Sequence, residues 1–230
     1  MLKWFLRNKK EKLEPRDFSI LKTDIHSHLI PGIDDGPSDI ETSVLLIKKL
    51  KNLGYSKLIT TPHVMSDVYQ NSSQIILHGL SELRKELSSR SIDIDISAAA
   101  EYYVDFNFEQ RIGKEDFLTF GDNYILIEFS FSQQPINIFE IIFKLQLEGY
   151  NVVLAHPERY GYYRIQDYKK FTDRGVLLQV NILSLTGYYS SQVQSVVEKL
   201  IKKNMVSFLG TDWHNEHHVN LYNECHVKPY

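Results

Sequence analysis

Two histidines, His26 and His28, stand two residues apart in the stretch Thr23-Asp24-Ile25-His26-Ser27-His28. On an extended strand that spacing puts both side chains on one face, so two imidazoles can converge on one point. Imidazole is the commonest metal-binding side chain, although an isolated pair fits a hydrogen-bonded structural role equally well. The rest of the chain shifts the balance. Ligand-type residues recur where later apolar runs end: His63, Glu101, Glu128, His156, and the pair Asp212 and His214, with Asp34 and Asp35 in the loop after the first run. For any one of them, Glu128 for instance, a capped or ion-paired carboxylate is a sufficient account. The set of His26, His28, His63, Glu101, Glu128, His156, Asp212 and His214, with Asp34 or Asp35 beside it, points instead to a multinuclear metal site.

Imidazole and carboxylate donors without thiolate favour Mn2+, Fe2+ or Zn2+ over copper or an iron–sulfur cluster. Nine such groups exceed what one ion takes, which implies two or three ions sharing carboxylates. Neighbouring ions supply a hydroxide near neutral pH and hold the oxygens of an in-line displacement at phosphorus. Hydrolysis of a phosphate ester is therefore the leading chemistry. Arg159 follows His156 by three residues, and its planar guanidinium matches a phosphate; the alternative is a surface ion pair. Arg159, Asp212 and His214 are the catalytic candidates. Arg159 and Tyr160, which begins an aromatic group with Tyr162 and Tyr163, are the substrate-binding ones. Asp24, inside the first run, is placed to orient a histidine or to accept a structural hydrogen bond. His78 sits in a helical pattern away from any strand end and reads as structural, while His217 and His218 read as part of a solvated helix face, with assistance to the leaving group as the alternative.

Positioning those groups takes a repeated unit. Apolar runs at 20–25, 57–61, 92–98, 124–127, 151–155, 176–180 and 206–209 read as seven strands, apolar throughout as when helices cover them. Amphipathic stretches at about 39–53, 73–90, 135–149, 164–174 and 190–204 read as helices. The first is opened by a Ser38 or Asp39 cap, carries Val44, Leu45, Ile47, Leu50 and Leu53 on its apolar side, and is stopped by Gly54. Alternating β and α units predict a parallel sheet, open or closed into a small barrel. In both arrangements active sites lie at the carboxyl ends of the strands.

The 230 residues suffice for one sizeable domain, expected at 19–230 behind a basic, amphipathic extension at 1–18. Net charge is −3, with no basic block beyond the first dozen residues, so there is no electrostatic footprint for nucleic acid. The one cysteine, Cys225, allows neither an internal disulfide nor a Cys-based zinc site and fits a reducing cytoplasm. It also lies too near the last residue to be followed by five residues and an arginine, as a thiol phosphatase would require. No 18-residue apolar window exists, so no transmembrane segment is expected. Met1-Leu2-Lys3-Trp4-Phe5-Leu6 is too short for a signal peptide; it reads as a short helix packed on its own domain, with membrane-surface contact as the alternative.

The combination of His26-Ser27-His28, Ile33-Asp34-Asp35-Gly36-Pro37, Thr61-Pro62-His63, Ala100-Glu101-Tyr102, Ile127-Glu128-Phe129, His156-Pro157-Glu158-Arg159-Tyr160 and Thr211-Asp212-Trp213-His214 resembles the PHP (polymerase and histidinol phosphatase) superfamily. Within it, the chain is most similar to the bacterial metal-dependent protein-tyrosine phosphatases of capsule and exopolysaccharide operons. The resemblance implies a distorted seven-stranded (β/α)7 barrel with three divalent ions, usually Mn2+, with iron, zinc or magnesium as alternatives. It implies one ion on His26, His28, Glu101 and Asp212, a second on Glu101, Glu128 and His156, and a third on Asp35, His63 and His214, with Arg159 on the phosphate. It further implies phosphotyrosine as substrate, on a cognate tyrosine autokinase that regulates polysaccharide chain length. A second phosphate-binding arginine that such proteins often carry after the Asp-x-His pair is missing, since residues 216–225 contain none. The expected mechanism is in-line attack by a metal-bridging hydroxide without a phosphoenzyme. It is eased by a phenol leaving group of pKa about 10. The rival readings are a phosphatase of the same superfamily acting on a small metabolite (histidinol phosphate or a nucleotide) and a metal-stabilised binding module without activity. An exonuclease role lacks a basic path for DNA.

Overall fold

Apolar strands separated by helices can pair side by side only in parallel, because each crossover returns the chain to the same end. In the computed structural model, which describes residues 18–223, every strand-to-strand ladder is parallel. Almost all of the expected N-terminal extension, together with Cys225 and His226, lies outside the described residues. The strands are β1 (Thr23–Asp24), β2 (Lys57–Thr60), β3 (His63–Val64), β4 (Asp95–Ala98), β5 (Glu101–Tyr103), β6 (Tyr124–Glu128), β7 (Asn151–Ala155), β8 (Leu177–Asn181) and β9 (Val206–Gly210). The helices are α1 (Ile40–Asn52), α2 (Ser73–Ser89), α3 (Phe106–Arg111), α4 (Ile138–Leu147), α5 (Ile165–Thr172), α6 (Ser191–Lys202) and α7 (Glu216–Asn223).

These are nine strands in two sheets, ordered β1-β2-β4 and β3-β5-β6-β7-β8-β9, where seven strands were expected. The difference has a local cause. Two of the seven chain segments break in the middle, one at Thr61-Pro62 and one at Ala99-Ala100. Proline offers no N–H to a ladder, so the β2 run cannot continue unbroken into β3. The two broken segments stay adjacent across the break: Ala99 N–H donates to Thr60 O at 2.9 Å, and Glu101 N–H donates to Pro62 O at 3.1 Å. Each segment thus contributes its first half to one sheet and its second half to the other.

The first and last strands meet beyond their ladders. Ser27 and Trp213 form an isolated parallel bridge. Asp212 N–H donates to His26 O (2.8 Å), and His28 N–H donates to Trp213 O (2.9 Å). Asp24 accepts both the Thr211 N–H (2.9 Å) and the Thr211 hydroxyl (2.7 Å). Asp24 is therefore a structural acceptor that ties β1 to the segment after β9. Burial pushes its carboxyl up to about 6, against the opposing pull of the two Thr211 bonds.

Helix α1 is opened by Asp39, whose carboxylate accepts the Thr42 N–H at 2.8 Å, and Gly54 follows it with φ +105°. It buries Val44, Leu46, Ile47 and Leu50, while Leu45 faces solvent, 38% exposed. The expected apolar side is thus rotated by one position, with Leu46 in place of Leu45. The main core lies between the helices and one face of the strands, around Leu46, Ile47, Leu50, Ile125, Ile127, Leu154 and Val180. Alternate strand residues, Ile25, Ile59, Leu126, Val153 and Ala155, form a smaller cluster, as the two-residue period of a strand requires. Among the described residues, no helix is long and apolar enough to cross a membrane.

Candidate metal centre

The carboxyl ends of the strands bring all nine candidate ligands together. His26 and His28 flank Ser27 in the segment held between Thr61 and Trp213. Both are fully buried, and their Nε2 atoms lie 3.4 Å apart, as their spacing predicts. Glu101 reaches them from β5: its Oε2 is 3.2 Å from His26 Nε2 and 3.5 Å from His28 Nε2. Asp212 Oδ1 completes this group at 3.4 and 3.5 Å from the same two nitrogens. His63 Nδ1 lies 3.2 Å from Glu101 Oε2 and 2.8 Å from Glu128 Oε1. His156 Nε2 lies 2.9 Å from Glu101 Oε1 and 3.9 Å from Glu128 Oε2. Asp35 Oδ1 sits 3.4 Å from both His63 Nε2 and His214 Nε2.

Four overlapping groups have donor atoms close enough to share an ion: His28, Asp35, His63 and His214; His26, His28 and Glu101; His26, His156 and Asp212; and His63, Glu101 and Glu128. Glu101 stands within reach of four histidines, His26, His28, His63 and His156, the geometry of a shared carboxylate. Two of the nine residues, His156 (φ +32°) and Asp212 (φ +53°), adopt the left-handed backbone region. That region is unusual for residues other than glycine and is concentrated at functional sites. In both, the turn comes within two residues of the end of the strand that leads to the site.

The donor set fits divalent cations. His63 Nδ1, Glu101 Oε2, Glu128 Oε1 and His156 Nδ1 are buried without a hydrogen-bond partner, although several are within ion-pairing distance of one another. His63 Nδ1, Glu101 Oε2 and Glu128 Oε1 face common space, and His156 turns its other nitrogen, Nε2, to the same carboxylates. A buried polar atom left so costs roughly 1–3 kcal/mol, and a cation placed among them removes that cost. Charge points the same way. Burial works against the charged form of every group here, yet Glu101 and Asp212 together raise His26 to about 9. Asp34, Asp212 and Glu101 hold His28 well above its usual value against burial. Conversely, despite burial, the surrounding histidines hold Glu101 and Asp212 well below the usual carboxylate range. Asp35, partly buried, is brought down to about 2 by His214, His63 and His28. The carboxylates thus favour the protonated forms of His26, His28 and His63.

The cluster floors a cavity of about 590 Å3 that also exposes Arg159, Phe131, Tyr188, Tyr189, Asn215 and His218. A larger groove of about 900 Å3 lies at the amino ends of β8 and β9, between α5 and α6, and holds no metal-ligating cluster; chemistry rather than size selects the site. Arg159 Nη1 donates to Asp212 Oδ2 at 3.1 Å, and its guanidinium lies between the rings of Phe131 (4.4 Å) and Tyr189 (4.6 Å).

Tyr160 departs from its expected place. It is 1% exposed, its hydroxyl accepts the Phe129 N–H at 3.0 Å, and its ring stacks on Phe129. It is a core residue, and the aromatic wall belongs to Phe131, Tyr188 and Tyr189. The sequence offered no periodic signal for those three, because they lie in irregular segments. Asp34 was legible only as a loop acid. It accepts from His28 Nδ1 at 2.7 Å and from the His63 N–H at 3.1 Å, so it orients one ligand and anchors another. His218 lines the cavity on the side that lacks an arginine; it is not simply a solvated face residue. Burial, with His214 nearby, lowers its pKa.

Fold and site together define a parallel α/β protein with a histidine–carboxylate cluster able to hold metal at its strand ends. The chain belongs to the CpsB/CapC family of capsular polysaccharide synthesis, whose profile matches residues 22–225. It is 31% identical to the tyrosine-protein phosphatase YwqE of Bacillus subtilis over 195 residues, 84% of this chain and 77% of that one. It is 25% identical to the putative tyrosine-protein phosphatase CapC of Staphylococcus aureus, over 84% of this chain and 76% of that one. Among solved structures it superposes, with TM-score 0.81 and 30% identity over 88% of this chain and 83% of the other, on a chain from work on Bacillus subtilis YwqE and Streptococcus pneumoniae CpsB, described as metal-dependent tyrosine phosphatases.

Proposed function

We propose that this chain is a metal-dependent protein-tyrosine phosphatase of capsular or extracellular polysaccharide synthesis. The observation that carries this reading is the convergence of buried, unpartnered donor atoms from His63, Glu101 and Glu128 beneath an open cavity that also holds Arg159. Its nine ligands would be His26, His28, Asp35, His63, Glu101, Glu128, His156, Asp212 and His214, sharing three divalent ions, with Mn2+ the expected metal. The two sheets, joined through their two broken segments and the Ser27–Trp213 contact, would act as one distorted (β/α)7 barrel within a single domain, 19–230.

Divalent cations bound there would supply Lewis acidity and a nucleophile at neutral pH. The chain supplies the rest. Arg159 has five N–H donors, and donating one to Asp212 leaves others for phosphoryl oxygens. Phe131 and Tyr189 packed against it restrict its rotation, so little order is lost when phosphate binds. Phe131, Tyr188 and Tyr189 offer an apolar side to a substrate ring. A tyrosinate leaves at a phenol pKa of about 10, so proton delivery to the leaving group is a minor demand. The substrate would be a phosphotyrosine protein, by resemblance a cognate tyrosine autokinase, in the cytoplasm.

Comparing kcat/KM for phosphotyrosine peptides and for histidinol phosphate, both with Mn2+, tests the substrate. The peptides should be preferred at least tenfold. Preference for histidinol phosphate would replace this reading with a small-metabolite phosphatase.

A further inference from the structure

Of the seven strand segments among the described residues, the one formed by β8 brings no histidine or carboxylate to the cluster from its carboxyl end. It presents two amides, Gln179 and Asn181, on one face and fully buried. Buried amides must be hydrogen-bonded to be tolerated, and these two are bonded end to end into the cluster. Gln179 Oε1 lies 2.8 Å from His26 Nδ1 and 3.4 Å from the His156 backbone N. Gln179 Nε2 donates to Asn181 Oδ1 at 3.0 Å. Asn181 Nδ2 donates to Asp212 Oδ2 at 2.7 Å.

The direction of this chain is fixed at both ends. The His156 backbone can only donate, so the Gln179 atom facing it is oxygen. The Asp212 carboxylate can only accept, so the Asn181 atom facing it is nitrogen. With both amides oriented, His26 must donate from Nδ1 to Gln179. That leaves His26 Nε2, the atom 3.2 Å from Glu101 and 3.4 Å from Asp212, free to bind a cation. At the other end, Oδ2 of Asp212 is taken by Asn181 and Arg159, which turns Oδ1 toward His26 and His28.

The site is built around this pair. A Cβ on Gly210 would fall 2.7 Å from Gln179 Nε2 and 2.7 Å from His26 Cβ, so a residue without a side chain stands where the amide passes. Asn181 is held in turn: its N–H donates to Glu158 Oε1 at 2.8 Å, and Ser184 donates to the same oxygen at 2.6 Å.

We propose that Gln179 and Asn181 are positioning residues for the metal centre, a two-amide relay that fixes His26 as the Nδ1–H tautomer and presents one oxygen of Asp212, coupling the ligands of the first and last strands through β8. The proposal rests on the metal reading above. Partners of this kind at metal-binding histidines typically change metal affinity by about 10- to 100-fold.

The test is Mn2+ titration calorimetry on the metal-stripped full chain, with the His26 tautomer read from imidazole 15N shifts in the metal-stripped protein above about pH 9, where the ring is neutral. Wild type must first bind Mn2+; failure there overturns the metal reading itself. Gln179→Met, close in volume but without hydrogen bonding, should weaken Mn2+ binding about 10- to 100-fold and split His26 between tautomers. Gln179→Glu keeps an acceptor for His26 and should restore the single Nδ1–H tautomer, a rescue that a purely space-filling role would not produce. Asn181→Ala breaks the other end and carries the test if Gln179→Met does not fold; it should weaken Mn2+ binding similarly. Wild-type Mn2+ affinity in either folded variant, or an undisturbed His26 tautomer in Gln179→Met, overturns the relay.

Discussion

The one candidate metal ligand to which the Arg159 side chain hydrogen-bonds among the described residues is Asp212, so loss of the arginine separates phosphate binding from metal binding. Hydrogen bonds to charged groups are worth about 1.5–3 kcal/mol. Arg159→Ala should therefore retain the wild-type metal content and lower kcat/KM on phosphotyrosine peptides by roughly 10- to 150-fold. Loss of metal in this variant would contradict the role. Phe131→Ala removes one wall of the guanidinium sandwich. It should cost roughly 2- to 30-fold in kcat/KM, the equivalent of about 0.5–2 kcal/mol of cation–π contact, again with metal retained. At this scale the sequence showed what residue types can do and missed which partners they find. Histidines and acids at strand ends announced themselves by chemistry and spacing. Tyr160 had the right type beside the right motif, yet its side chain turns into the core to satisfy the Phe129 N–H. Gln179 and Asn181 looked like ordinary strand polar residues, because their function exists only when β1, β8 and β9 are brought together.

Helix α2 presses on the ligand loop at Gly79, where a Cβ would fall 2.4 Å from Ile30 Cγ2. Ile30 is 1% exposed and two residues beyond His28, so there is little room for it to yield. In an exposed helix, Gly→Ala gains about 1 kcal/mol. Here overpacking of about 1–3 kcal/mol should outweigh it. Gly79→Ala is expected to lower the thermal midpoint; a raised midpoint would show that the loop yields freely. Most elements were legible because their signals are local: the Asp39 cap, the Gly54 stop, and continuous apolar runs for β6 to β9. What was not legible was the division of two strand segments between two sheets. Pro62 marks one break in the sequence, but Ala99 and Ala100 are as compatible with an unbroken strand as with a bent one. Their break follows from staying paired with the neighbour that Pro62 interrupts.

The whole molecule depends on holding its first and last strands together. Thr211→Val leaves one oxygen of buried Asp24 without its hydroxyl donor. It should destabilise the fold by about 1–3 kcal/mol in chemical denaturation, and an unchanged midpoint would show the contact to be dispensable. The assembled charge also predicts a pH dependence. Despite burial, Glu101 and Asp212 raise His26 from its usual 6.5 to about 9 in the metal-free site. A group whose pKa is raised on folding stabilises fully below its unfolded value and ceases to do so as pH rises through the folded one. The metal-stripped protein should therefore lose stability between about pH 6.5 and pH 9, a loss that metal loading abolishes by replacing the proton. Equal stability of the stripped protein at both ends of that window would contradict the assignment. The central claim is that nine side chains hold catalytic cations, and it is tested most directly by counting metal ions per chain while following Mn2+-dependent phosphotyrosine hydrolysis through chelation and reloading. The expected result is a loaded protein with three ions, the number the resemblance to metal-dependent tyrosine phosphatases implies, no hydrolysis after stripping, and recovery with Mn2+. Hydrolysis that persists in the stripped protein would contradict it.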